Sequence, residues 1–157
     1  MKRKKRKIHY STSTVGYQNL LELALKIPSL KDLTGEMKNS HTEFIDSFYD
    51  EEFKKMLDLK DKSNVDVINN SNLSKDYFYA VYQGKRKPSR NKTIQLCFGL
   101  GLSGEEASLF LKKMGHNEFY LRNERDLVIF AALTKGETLL STEEFLYDNG
   151  YETITKE

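Results

Sequence analysis

A chain of 157 residues, 38% hydrophobic and 31% charged, is long enough to bury its own core and polar enough to be a globular protein. No apolar run approaches the ~18 residues of a membrane helix, no apolar segment follows the basic start, and the single cysteine, Cys97, has no disulfide partner. These features argue against a membrane span, a secretory leader or a disulfide scaffold, and for a cytoplasmic protein. The net charge of +2 hides a segregation: residues 2–7 carry +6, residues 8–59 carry −4, residues 60–92 carry +5 and residues 93–157 carry −5. Cations gathered in one tail and one central segment form the charge pattern of a chain that meets nucleic acid.

In chain order, residues 1–14 are basic and then rich in Ser and Thr, and read as a disordered tail. Residues 15–41 read as an N-terminal helix and a loop. Tyr17–Ile27 forms the helix, Pro28 ends it, and residues 29–40 around Gly35 are the loop. From Thr42, the apolar residues Phe44, Ile45, Phe48, Phe53, Met56 and Leu57 recur at three- and four-residue spacing, which predicts a long helix with one buried face. Ser63 is placed to cap a short helix over 64–71, with Asp66 in its first turn; Asn72, which tolerates left-handed backbone, marks a turn. Ser74 caps a second short helix to Tyr82, stopped by Gly84, and the basic loop Lys85–Arg90 follows. Ser89 caps a helix over 90–100 closed by Gly101, and the apolar stretch around Cys97 makes that thiol a small buried hydrophobe.

Ser103 and Glu106 have the spacing of a capping box, Gly115 ends that helix, and Ala107, Phe110, Leu111 and Met114 are its buried stripe. Asn123 caps a helix to Lys135, stopped by Gly136. The unbroken apolar run 127–133 also fits a buried strand, but the Ala131-Ala132 pair and two good caps favour helix. Ser141 and Glu144 repeat the capping-box spacing before Gly150, an echo of residues 102–106 that reads as repeated hairpin chemistry.

The central segment, Asn64 to Gly84, carries the functional signal. Two short helices meeting at a steep angle need apolar contacts, here Val67, Leu73, Phe78 and Val81, and a turn residue able to take positive φ, here Asn72. This stretch resembles the helix-turn-helix of the Cro and lambda-repressor-like (Xre-type) family. The continuation Gly84-Lys85-Arg86-Lys87-Pro88-Ser89 resembles that family's G-K-x-x-P-S signature, and Leu100-Gly101-Leu102 with Ser103, Glu105 and Glu106 resembles its L-G-L turn and L-S-x-E-E start. The likeness covers residues 53–115. A Gram-positive subgroup combining V-I-x-x-S-x-L, G-K-R-K-P-S-R and R-N-x-R-D is also similar, through Val67–Leu73 and Arg122–Asp126, to about residue 150. The chain departs from the family at Ile68, where a small residue is usual, at Ser71, where a larger apolar one stands, and at Asn72, where Gly stands.

The resemblance implies an all-α fold: a lambda-repressor-like five-helix DNA-binding bundle over residues 42–115, with a helical hairpin extension over 116–157. It implies base reading by Ser74, Lys75, Asp76, Tyr79 and Ala80. Lys75 would donate to guanine, Asp76 would accept from cytosine N4 and discourage mismatched sites, and the Ala80 methyl would meet a thymine methyl. It implies phosphate contacts from Asn64, Gln83, Lys85, Arg86, Lys87 and Arg90. The tail residues Lys2, Arg3, Lys4, Lys5, Arg6 and Lys7 either track DNA phosphates or enter the minor groove, or serve solubility alone. The function it implies is a double-stranded-DNA-binding transcriptional regulator, a repressor acting as a homodimer in a bacterial cytoplasm, at the nucleoid when bound. An antitoxin or adaptor that uses the bundle to hold a partner protein, and an RNA binder, are the rival readings; separately, the C-terminal helices are a candidate surface for a second copy or a partner protein. No enzyme, cofactor or metal is expected. His9, His41 and His116 lack ligand spacing, no phosphate-binding glycine loop is present, and the pairs Glu105-Glu106 and Glu143-Glu144 sit in first helical turns where capping explains them.

Overall fold

The structure, a computed structural model, describes residues 15–39 and 49–156. Among these it is all-α, with nine helices and no strand. The chain divides into two compact units, Met1–Ser47 and Phe48–Glu157. The basic tail and the apolar positions Phe44, Ile45 and Phe48 lie outside the described residues.

In the first unit, α1 (Val15–Lys26) stops just before Pro28, as the sequence predicts. The expected loop over residues 29–40 is instead a helix, α2 (Leu30–Asn39). Ser29 hydrogen-bonds the Asp32 carboxylate at 3.0 Å across its first turn. Gly35 disfavours helix by only about 1 kcal/mol, and the Leu, Lys, Glu and Met around it are helix formers. No residue of α2 is buried.

The second unit holds α3 (Tyr49–Lys60), α4 (Asn64–Ser71), α5 (Lys75–Tyr82), α6 (Arg90–Leu100), α7 (Gly104–Lys113), α8 (Glu124–Lys135) and α9 (Leu139–Asp148). Its axis is α6, in which every residue from Thr93 to Leu100 is buried. A helix apolar on most sides must be wrapped on most sides. One cluster of buried side chains runs from Phe53 and Phe78 through Ile94, Phe110 and Ile129 to Leu146 and Ile154, so residues 116–156 pack into the same core as α3–α7.

Helix ends follow local chemistry. Ser63, Ser74, Ser89, Ser103 and Asn123 each accept a backbone N–H from the first turn they cap. Ser103 and Glu106 form the reciprocal capping box. At α9 the expected start is corrected: Thr138, not Ser141, is the N-cap, accepting from Ser141 N at 3.0 Å. Leu139 is buried, so the helix begins early enough to seat it. Glu144 therefore falls mid-helix, while Glu143 accepts from Ile154 N at 2.6 Å and Thr155 N at 3.1 Å and fastens the C-terminal segment.

Two glycines permit close crossings. A Cβ on Gly99 would stand 1.9 Å from Ser71 Oγ and 2.7 Å from the Val67 carbonyl, so α4 lies directly on α6. A Cβ on Gly104 would meet the Phe130 ring and Thr134 Oγ1 at 2.7 Å, which sets α7 against α8. Gly99→Ala is therefore expected to cost about 1–3 kcal/mol through overpacking. Its thermal midpoint should fall, and adding Ser71→Gly should restore part of the loss.

An ion pair ties α3 to α7 at its capping box: Lys60 Nζ reaches Glu106 at 2.5 Å. The Lys60 ammonium, then the Ser103 N–H, hold the Glu106 carboxyl below its ordinary value. A depressed folded-state pKa stabilises above the unfolded pKa, about 4.3 for Glu, and that contribution is lost as pH falls through the folded value. Thermal midpoints of wild type and Glu106→Gln should differ at neutral pH, begin to approach each other at about pH 4.3 and converge only below the depressed folded-state value.

Candidate nucleic-acid interface

The central pair of helices is held by its own caps. Ser63 Oγ accepts from Asp66 N at 3.1 Å at the start of α4. Asn72 takes φ 53° and ψ 39°, the left-handed turn read from the sequence. Leu73, buried in the turn, precedes Ser74, whose Oγ accepts from Tyr77 N at 3.1 Å to start α5. On the inner side of α5, Phe78 and Val81 are fully buried, and the Phe78 ring meets Phe53 of α3 edge-on at 5.4 Å.

The outer side holds the predicted reading residues. Ser74, Lys75, Asp76 and Gln83 are exposed. Tyr79 and Ala80 are half-buried, with the Tyr79 ring edge-on to Phe78 at 5.3 Å. After Gly84, at φ +74°, the chain folds back, with Lys85 N and Arg86 N both donating to the Ala80 carbonyl at 2.9 and 3.2 Å. Exposed Lys85, Arg86 and Lys87 are thereby fixed beside the end of α5. Pro88 is buried beneath them, its carbonyl accepting from His116 Nε2 at 2.8 Å. Asn64 stands half-buried as the first residue of α4. The tail residues 2–7 lie outside the described residues.

Arg90 does not join the outward cations. Its guanidinium forks onto Asp126 at 3.0 and 3.2 Å, donates to the Asn117 carbonyl at 3.0 Å and lies 5.5 Å from the centre of the Phe119 ring. Asp126 also accepts from Tyr120 N at 2.9 Å. The sequence marks Arg90 as one of a basic run; only the fold brings it to a carboxylate 36 residues away. It braces the start of α6 against the start of α8.

Three cations pack on tyrosine rings of α5, and two of them, Lys54 and Lys92, were not among the predicted contacts. Lys54 Nζ of α3 sits 4.7 Å from the centre of the Tyr82 ring. The Arg86 guanidinium and Lys92 Nζ of α6 sit 4.9 and 5.8 Å from the centre of the Tyr77 ring. Lys92 lies in the basic segment and was countable as charge, whereas Lys54 has no signal until α3 is laid beside α5.

Burial pushes the Cys97 thiol far up, which keeps it protonated and unreactive. Among the described residues no group of His, Cys, Asp and Glu is arranged to hold a metal ion, and no helix is long and apolar enough to cross a membrane. Comparison of the chain with known protein families, with curated proteins and with solved structures finds no match.

Arg90→Gln should lower stability by about 1.5–3 kcal/mol, because it leaves the buried Asp126 carboxylate short of its charged donor. A lower urea midpoint at unchanged slope is the expected signature.

Proposed function

We propose that this chain is a sequence-specific double-stranded-DNA-binding transcriptional regulator, with α3–α7 as a lambda-repressor-like bundle and α5 as the helix that enters the major groove. The observation that carries the reading is the two-sidedness of α5. One side is locked into the core by Phe78 and Val81, and the other presents Lys75, Asp76 and Gln83 to solvent beside the cationic loop Lys85–Lys87. A buried back and a polar front on a short capped helix suit insertion between phosphate backbones.

In this reading Lys75 donates to guanine O6 and N7, Asp76 accepts from cytosine N4, and Ala80 offers a methyl to thymine, with Ser74 and Tyr79 alongside. Asn64, Gln83, Lys85, Arg86 and Lys87 contact phosphates and set register. Arg90 is left out of that set, since its donors are engaged by Asp126 and the Asn117 carbonyl. Two copies on a palindrome, with half-sites about one helical turn apart, suit a regulator that represses by occupancy.

A protein-binding role is the second reading. It is favoured by an apolar cleft of about 470 Å³ between α8 and α9, with half-exposed Leu127 and Phe145 on its walls. Ionic strength separates the two. Six to ten phosphate contacts cost roughly 10³–10⁵ in affinity between about 50 and 200 mM salt, whereas an apolar interface is nearly indifferent.

Selection from random duplexes followed by titration tests the assignment. Lys75→Ala should change the preferred sequence at one position by about 1–3 kcal/mol of discrimination, while Arg86→Ala should weaken all sequences alike. Identical, uniform losses from both changes would remove the base-reading role of Lys75. Tighter binding to single-stranded RNA than to duplex would replace DNA as the partner.

A further inference from the structure

At about 100° per residue, Tyr77 and Tyr82 leave α5 roughly 140° apart. The narrower sector between them contains only the buried Phe78 and Val81. The wider sector contains Lys75, Asp76, Tyr79, Ala80 and Gln83. The two tyrosines, each half-buried, thus stand at the two edges where the core-facing side of α5 gives way to its outer side. Each carries cations from a different element: Lys54 from α3 on Tyr82, and Arg86 from the loop with Lys92 from α6 on Tyr77.

We infer that Lys54 and Lys92 are phosphate-binding residues, one on each flank of α5, held in place by the Tyr82 and Tyr77 rings and positioned to contact the two strands that border one major groove. The inference rests on the DNA-binding reading above and deepens it. A helix with its side chains is about 10–12 Å across, and the B-form major groove is about 12 Å wide. Cations at both lateral edges of an inserted helix therefore face the two phosphate backbones, whereas cations on one edge face only one. Packing on a ring face restricts the head group without consuming its hydrogens. An ammonium carries three donors and a guanidinium five, so donors remain for a phosphate oxygen. Neither Lys54 nor Lys92 has a carboxylate ion-pair partner among the described residues, in contrast to Lys55, which pairs with Glu52 at 3.8 Å, and Lys60, which pairs with Glu106. Tyr77 and Tyr82 act as positioning residues.

The test is the salt dependence of binding by the full chain to a short random-sequence DNA duplex and to a selected operator. Each lost phosphate contact lowers the slope of log K against log salt by about 0.9. Lys54→Gln and Lys92→Gln should each show that drop on both duplexes, Lys54→Arg should restore the slope, and Tyr82→Phe, which keeps the ring, should leave it unchanged. Lys55→Gln removes the same charge from the same helix and should keep the wild-type slope. Unchanged slopes in Lys54→Gln or Lys92→Gln, with wild type binding duplex normally, overturn the two-flank assignment alone. An equal drop in Lys55→Gln overturns it too, because net charge would then suffice. A wild-type chain that does not bind duplex, or binds with no salt dependence, overturns the DNA-binding reading on which the assignment stands.

Discussion

The arrangement of the second unit depends on how closely α4 can lie on α6. Gly99 leaves a notch, Ser71 fills it, and Gln95 Nε2 donates to the Ser71 carbonyl at 2.9 Å at the same crossing. The contact has a cost: Ser71 Oγ and Gln95 Oε1 are buried without hydrogen-bond partners among the described residues. An unsatisfied buried polar atom costs about 1–3 kcal/mol. The close approach also brings fully buried Val67 onto α6, its carbonyl oxygen and Cγ1 lying 2.7 and 3.1 Å from where a Gly99 Cβ would stand. The position of α4 sets the turn at Asn72, and the turn sets the start of α5. The outward face of α5 is therefore decided on the opposite side of α4, by the absence of a side chain at residue 99.

That crossing also accounts for a departure in the turn region. A larger apolar residue at 71 would collide with α6, since even the serine hydroxyl occupies the place of a Gly99 Cβ. Ser71 and Gly99 act as a pair: small against absent. Asn72 in place of glycine is compatible with the same turn, because asparagine reaches φ 53° at modest cost.

Features decided within four residues were legible in the sequence. The caps at Ser63, Ser74, Ser89, Ser103 and Asn123, and the left-handed stops at Asn72, Gly101 and Gly136, depend only on near neighbours and were placed correctly. The α9 start is not fixed locally, because Ser141-x-x-Glu144 and Thr138 are both sound caps, and the structure uses Thr138, with Leu139 buried. Over residues 30–39 a single glycine reads locally as a loop signal, yet its nine neighbours carry the helix. Within the candidate interface, exposure of Lys75 and Asp76 followed from helical phase. The engagement of Arg90 did not, because its partner Asp126 lies on another helix, and neither did the ring contacts of Lys54 and Lys92. Long-range pairing is set by topology, and a cation's sequence neighbours do not reveal it.

Asp76 is the one anion on the outer face of α5, and its two roles work in opposite directions. In the first turn it stabilises the helix against its own dipole, by about 0.3–1 kcal/mol at an exposed site. Set among phosphates, the same charge is repelled unless a cytosine amino group satisfies it. With flanking cations supplying attraction that ignores sequence, a lone carboxylate in the reading face converts part of that attraction into discrimination. Ser74 already caps the helix, so the fold gains only the dipole contribution from an acid at this position, and the proposed function makes use of its charge. Replacing Asp76 by Asn would keep the helix start while removing the repulsion, so under the proposed function the difference between the two residues lies in which duplexes are refused rather than in how α5 folds.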